Sequence, residues 1–114
     1  MYLLIIILHK EEYLEDILSL FVELGIEDAA IIESQSLTRA LAYDVPIFAG
    51  LRFQMEGSKK YSKVILALTD NPDIGDELVS ILKDEDIDFD KPGTGRIVLL
   101  KTEKVFGKPE EVEI

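Results

Sequence analysis

The sequence predicts an α+β domain of the ferredoxin-like type, βαββαβ, with one antiparallel sheet and two helices on a single face. Three observations lead there. Apolar strand-like runs and helical runs follow each other as strand, helix, strand, long connection, strand, helix, strand. The two halves echo each other, Tyr13-Leu14-Glu15-Asp16-Ile17-Leu18 against Ile74-Gly75-Asp76-Glu77-Leu78-Val79, as duplicated βαβ units would. The first, third and last strands are also apolar on both faces, although helices would cover only one. Leaving such leucines and isoleucines wet costs roughly 1.5–3 kcal/mol each, so the second face is expected to be covered by other subunits.

The first strand is read at residues 2–8, a leucine- and isoleucine-rich run without polar alternation. Glu11 to Gly25 follows with Leu14, Ile17, Leu18 and Phe21 at helical spacing, most of its acids elsewhere and Gly25 as a stop. Ala29 to Leu37 reads as the second strand. Residues 38–61 have no clear period but carry Leu41, Val45, Ile47, Phe48, Leu51, Phe53 and Met55, punctuated by Pro46, Gly50 and Gly57. They are read as a long functional loop or a hidden hairpin whose apolar content docks on something.

Lys63 to Leu68 is the third strand. Asp70 or Asn71 caps the next helix, with Pro72 in its first turn and Ile74, Leu78, Ile81 and Leu82 on one face. Asp84-Glu85-Asp86 ends it, Ile87 and Phe89 suggest a short edge strand, and residues 96–102 form the last strand. The domain is drawn at 1–106, with 107–114 as an acidic, solvated tail.

Composition narrows the function classes. The 114 residues suit one domain with a single modest core. No cysteine excludes disulfides and thiolate metal sites, and a lone histidine, His9, excludes a multi-histidine site within one chain. The net charge of -11 argues against general nucleic-acid binding. The apolar start lacks a basic leader region and, at about eight residues, is far short of the ~20 that span a bilayer, so no direct membrane insertion and a cytoplasmic location are expected. The serines lack a nucleophile motif, His9 reads as a satisfied strand-end histidine, and pairs such as Asp84/Asp86 or Asp88/Asp90 read as solvated acids. No catalytic residue, no metal and no enzyme are therefore expected.

Two features point to anion binding. Lys91-Pro92-Gly93-Thr94-Gly95-Arg96 sets two glycines one residue apart between two cations, immediately before the apolar run Ile97-Val98-Leu99-Leu100. Backbone N–H groups in such a turn can form a nest for phosphate, although a plain turn into a strand uses the same spacing. It is neither a Walker loop nor a dinucleotide fingerprint. Residues 34–63, in turn, carry a net +3, including Arg39 and Arg52, two of the three arginines in an acidic chain.

With these motifs placed, the chain resembles the PII signal-transduction family of trimeric ferredoxin-like nucleotide sensors, from Tyr2 to about Phe106. Gly93-Thr94-Gly95-Arg96-Ile97 is similar to that family's phosphate-holding Gly-x-Gly-Lys-Ile, with Lys91 near its other loop lysine. Ser36-Leu37-Thr38-Arg39 stands where the family has Gly-Phe-Gly-Arg at the base of its effector loop. Val98-Leu99-Leu100-Lys101-Thr102-Glu103-Lys104-Val105 resembles its last strand and following acidic turn. Phe89-Asp90 replaces a Thr-Gly pair, and two arginines after the last strand fall at or near Gly107 and Pro109.

The resemblance implies a homotrimer that binds an adenine nucleotide between subunits through Leu37, Thr38, Arg39, Lys91, Gly93, Thr94, Gly95 and Arg96. Missing arginine contacts, worth roughly 1.5–3 kcal/mol each, favour AMP or ADP over ATP. Signalling to a protein partner, a membrane transporter or an enzyme, would run through loop 38–61, with Tyr43, Pro46, Ile47, Phe48, Gly50 and Arg52 at the contact. The alternative is a partner-binding module that uses the same apolar loop and holds no nucleotide.

Overall fold

The computed structural model describes residues 1–54 and 61–110. It is an α+β fold with four strands, β1 (Tyr2–Leu8), β2 (Ala29–Gln35), β3 (Tyr61–Thr69) and β4 (Gly95–Lys101). They form one antiparallel sheet in the order β2-β3-β1-β4. The helices are α1 (Leu14–Glu23), α2 (Leu37–Asp44), α3 (Leu51–Gln54) and α4 (Ile74–Asp84). This arrangement is consistent with a ferredoxin-like α+β fold.

The strand period of two decides the core. Leu4, Ile6 and Leu8 of β1 point to one face and are fully buried, as is Ile65 of β3. They pack with Ile17, Leu20 and Phe21 of α1 and with Ile74, Leu78 and Leu82 of α4, so both helices share one core with this face. Gly25, at φ 74, closes α1 in the left-handed conformation that its spacing suggests. On the opposite face Leu3, Ile5 and Ile7 stand beside Val64, Leu66 and Leu68 of β3 and Val98 and Leu100 of β4. These are half-buried or exposed, with Leu100 still 49% accessible. The ends of the chain segment are pinned: the Thr102 N–H and hydroxyl both donate to the Met1 carbonyl, at 3.1 and 2.9 Å.

Four expectations need correction. The connection after β2 is neither loop nor hairpin through residue 54. The Ser36 hydroxyl accepts the Arg39 N–H at 3.2 Å and caps α2, whose Leu37, Ala40, Leu41 and Ala42 are sound helix formers. Pro46 then opens a 3-10 turn, Pro46–Phe48, and α3 follows; residues 55–60 of that loop lie outside the described residues. The second strand consequently stops at Gln35.

Ile87 and Phe89 form no edge strand. Asp86 takes a positive φ of 64°, the Ile87 N–H donates back to Leu82, and the Asp88 side chain accepts the Asp90 N–H, which together make successive turns. Ile87 is buried in the core instead. The α4 cap also differs: Asp73 occupies the position, and Asn71 Oδ1 accepts the Asp73 N–H at 2.9 Å one turn ahead of the helix.

Candidate functional site

The glycine turn lies at the β4 edge, where antiparallel pairing sets the start of β4 beside the end of β1. Its two glycines have different reasons. Gly95, at φ 149, packs against the Ile7 carbonyl so closely that any Cβ would overlap that oxygen. Strand pairing therefore demands this glycine, whether or not a ligand binds. Gly93, at φ 87, meets nothing within 4 Å, so its backbone conformation rather than crowding calls for glycine. Thr94 between them is buried, its N–H donates to the Lys91 carbonyl at 3.4 Å, and its own carbonyl accepts the His9 N–H at 3.0 Å.

The turn walls a cavity of about 430 Å³, lined among others by His9, Asp90, Lys91, Gly93 and Arg96. Among the described residues, no carboxylate pairs with Lys91 or Arg96, and the Gly93 N–H has no acceptor. The Asp90 carboxylate is turned to Lys83, at 3.8 Å. Two cations and a free backbone donor therefore face one concavity, an arrangement suited to an anion. A larger groove of about 520 Å³ between α4 and β4, lined by Asp76, Lys83, Ile97 and Leu99, mixes opposite charges and has no such bias.

Sequence reasoning missed His9 as a neighbour of the turn. Its Nδ1 lies 2.8 Å from the Ser62 hydroxyl, 53 residues along the chain. The register of β4 on β1 is the reason that turn and histidine are neighbours: Gly95 stands opposite Leu8, which brings the turn to His9.

The other expected ligand residues lie elsewhere. Leu37 and Thr38 are exposed in the first turn of α2. The Arg39 guanidinium is stacked between the Tyr43 and Tyr61 rings, 4.8 and 4.7 Å from their centroids, with its Nε buried and without a partner. The Arg52 guanidinium also lies 4.9 Å from the Tyr43 ring centroid, and its Nε donates to the Ala42 carbonyl at 2.8 Å. Arg52 and Tyr43, expected at a partner contact, brace the helical segment and are both still exposed. Ile47 remains 84% and Phe53 82% exposed, with Phe48 and Leu37 also accessible; Pro46 and Gly50 shape the turns between.

The Arg39 guanidinium lies over Tyr61 at the start of β3, at the same end of the sheet as the glycine turn but two strands from β4. With strands spaced about 4.8 Å, the order β3-β1-β4 sets Tyr61 roughly 10 Å from the start of β4.

At the same end, Lys63 of β3 pairs with Glu33 directly across on β2 and lies 4.0 Å from Glu11. The hydrogen bond that Lys63 donates to Glu33 raises its pKa above the usual lysine range, burial pulls against it, and the charges of Glu33 and Glu11 add to the rise. Among the described residues, no three His, Asp or Glu side chains gather as a metal site, and no helix is long and apolar enough to cross a membrane.

No protein-family model matches the chain, and no curated protein matches it.

Proposed function

We propose that the chain is a PII-like regulatory protein that binds an anionic adenine nucleotide, AMP or ADP rather than ATP, and reports it to a protein partner. The observation that carries the reading is the cavity at the glycine turn, lined by Lys91, Arg96 and Gly93, where the one lining acid, Asp90, pairs with Lys83 and neither cation has a carboxylate partner among the described residues. Arg39, at the same end of the sheet but two strands from β4, would join the turn in a cleft completed between subunits. The apolar face bearing Ile5, Ile7, Leu66 and Val98 supplies a surface for such an assembly, which the sequence resemblance reads as a trimer. Ligand contacts that differ between two placements of the segment beginning at α2 would shift their populations, which is what a switch requires.

A thermal-shift and calorimetric screen against AMP, ADP, ATP and inorganic phosphate tests this. A ligand at 100 times its Kd adds ~2.7 kcal/mol of stability. Stabilisation by AMP or ADP supports the reading, and no response at millimolar ligand overturns it.

A specific observation favours a second reading, a partner-binding module without a nucleotide. Ile47 and Phe53 stand almost fully exposed on a segment braced by its own Arg–Tyr stacking. Under this reading Ile47→Ser with Phe53→Ser abolishes partner capture, while the ligand screen stays blank.

A further inference from the structure

We infer that His9 is a third, protonatable contact of the glycine-turn cavity, so that the cavity takes the dianionic phosphate end of its ligand together with a proton. This rests on the nucleotide reading and adds to it a residue and a linkage that the turn motif does not contain.

The first support is position. His9 lines the cavity beside Lys91, Gly93 and Arg96, and its backbone N–H donates to Thr94 inside the turn, so ring and turn are tied into one unit. The second is orientation. Ser62, almost wholly buried, holds Nδ1 at 2.8 Å, and the Ser62 carbonyl is in turn taken by the Ser34 hydroxyl at 2.9 Å. Nε2 is left as the ring nitrogen without a partner among the described residues.

The third is the chemistry of that partner. A backbone carbonyl accepts only, and would commit Nδ1 to carrying a proton. A serine hydroxyl both donates and accepts, so the His9–Ser62 contact survives whether the ring is neutral or charged. Imidazole is also the one side chain whose ordinary range makes it a switch at physiological pH. The charged and titratable groups around it come from every neighbouring element. Lys10 and Glu11 follow it in the chain, and Tyr61 and Lys63 stand on β3, with Lys63 held by Glu33 and Glu11. Asp90 and Lys91 belong to the turn and Arg96 to β4. With Asp90 drawn to Lys83, an arriving phosphate dianion is the group that draws a proton onto Nε2.

Because the chain has a single histidine, its imidazole C–H resonance is unambiguous in the unmodified protein. The experiment follows that resonance against pH with and without saturating AMP, and again with inorganic phosphate. The expected result is a titration midpoint raised by about one pH unit in AMP, equivalent to tenfold tighter binding to the protonated form. Calorimetry in two buffers of different ionisation enthalpy should show proton uptake by wild type that His9→Gln loses. AMP that binds without moving the His9 midpoint overturns this inference and leaves the nucleotide reading standing. AMP and phosphate that both fail to bind overturn the two together.

Discussion

Gly95 and Ile7 meet where β4 begins: the Gly95 α-carbon lies so close to the Ile7 carbonyl that a side chain there collides with backbone. The pairing register of β1 with β4, and with it the position of the whole turn, depends on that contact. Gly95→Ala should therefore destabilise the fold by about 3 kcal/mol, through collision and a strained φ together. Gly93→Ala meets open space and bears only the left-handed backbone cost, about 1–2 kcal/mol. Urea unfolding of the two variants checks the difference in size.

The Tyr43–Arg39–Tyr61 stack fastens α2 to the start of β3. Arg39→Ala and Tyr61→Leu should be coupled by about 0.5–1 kcal/mol in a double-mutant cycle, the range for a cation over an exposed ring. Strict additivity would mean that the stack does not hold the segment.

The uncovered sheet face yields a prediction about assembly. Ile5→Glu or Leu66→Glu puts a charge among Leu3, Ile7, Val64 and Val98, away from the core that α1 and α4 cover. In sedimentation velocity the wild type should run as an oligomer and either variant as a folded single chain. A wild type that runs as a single chain contradicts the proposed assembly.

Lys63 predicts an alkaline limb. Its pKa is raised in the folded state, chiefly by the Glu33 hydrogen bond, so its contribution is complete below the ordinary lysine range and disappears as pH climbs through the raised value. Glu33→Gln should flatten that decline above the ordinary lysine range, read from denaturant midpoints.

Much of this was legible in the chain because burial writes itself as period. Leu4, Ile6 and Leu8 sit in an unbroken apolar run, and Ile17, Leu78 and Leu82 recur at helical spacing, so β1, α1 and α4 emerge directly. The α2–α3 segment did not. Its helices are short and are held by Arg39, Arg52 and Tyr61, whose partners are visible only once the chain has folded. The edge strand expected at Ile87 and Phe89 failed because alternating apolar residues cannot override the positive φ at Asp86 and the Asp88 turn. At the candidate site, the cations of the turn were readable from their spacing. The partnership of His9 with Ser62 was not, since it depends on how β1 and β3 end together.

The central claim is that the glycine-turn cavity binds a nucleotide phosphate through Arg96. Calorimetric titration of AMP into wild type and Arg96→Ala tests it most directly. Affinity should fall at least about tenfold in the variant, the worth of one charge-assisted contact, with the thermal midpoint unchanged because Arg96 is exposed. Equal affinity in the two proteins would contradict it.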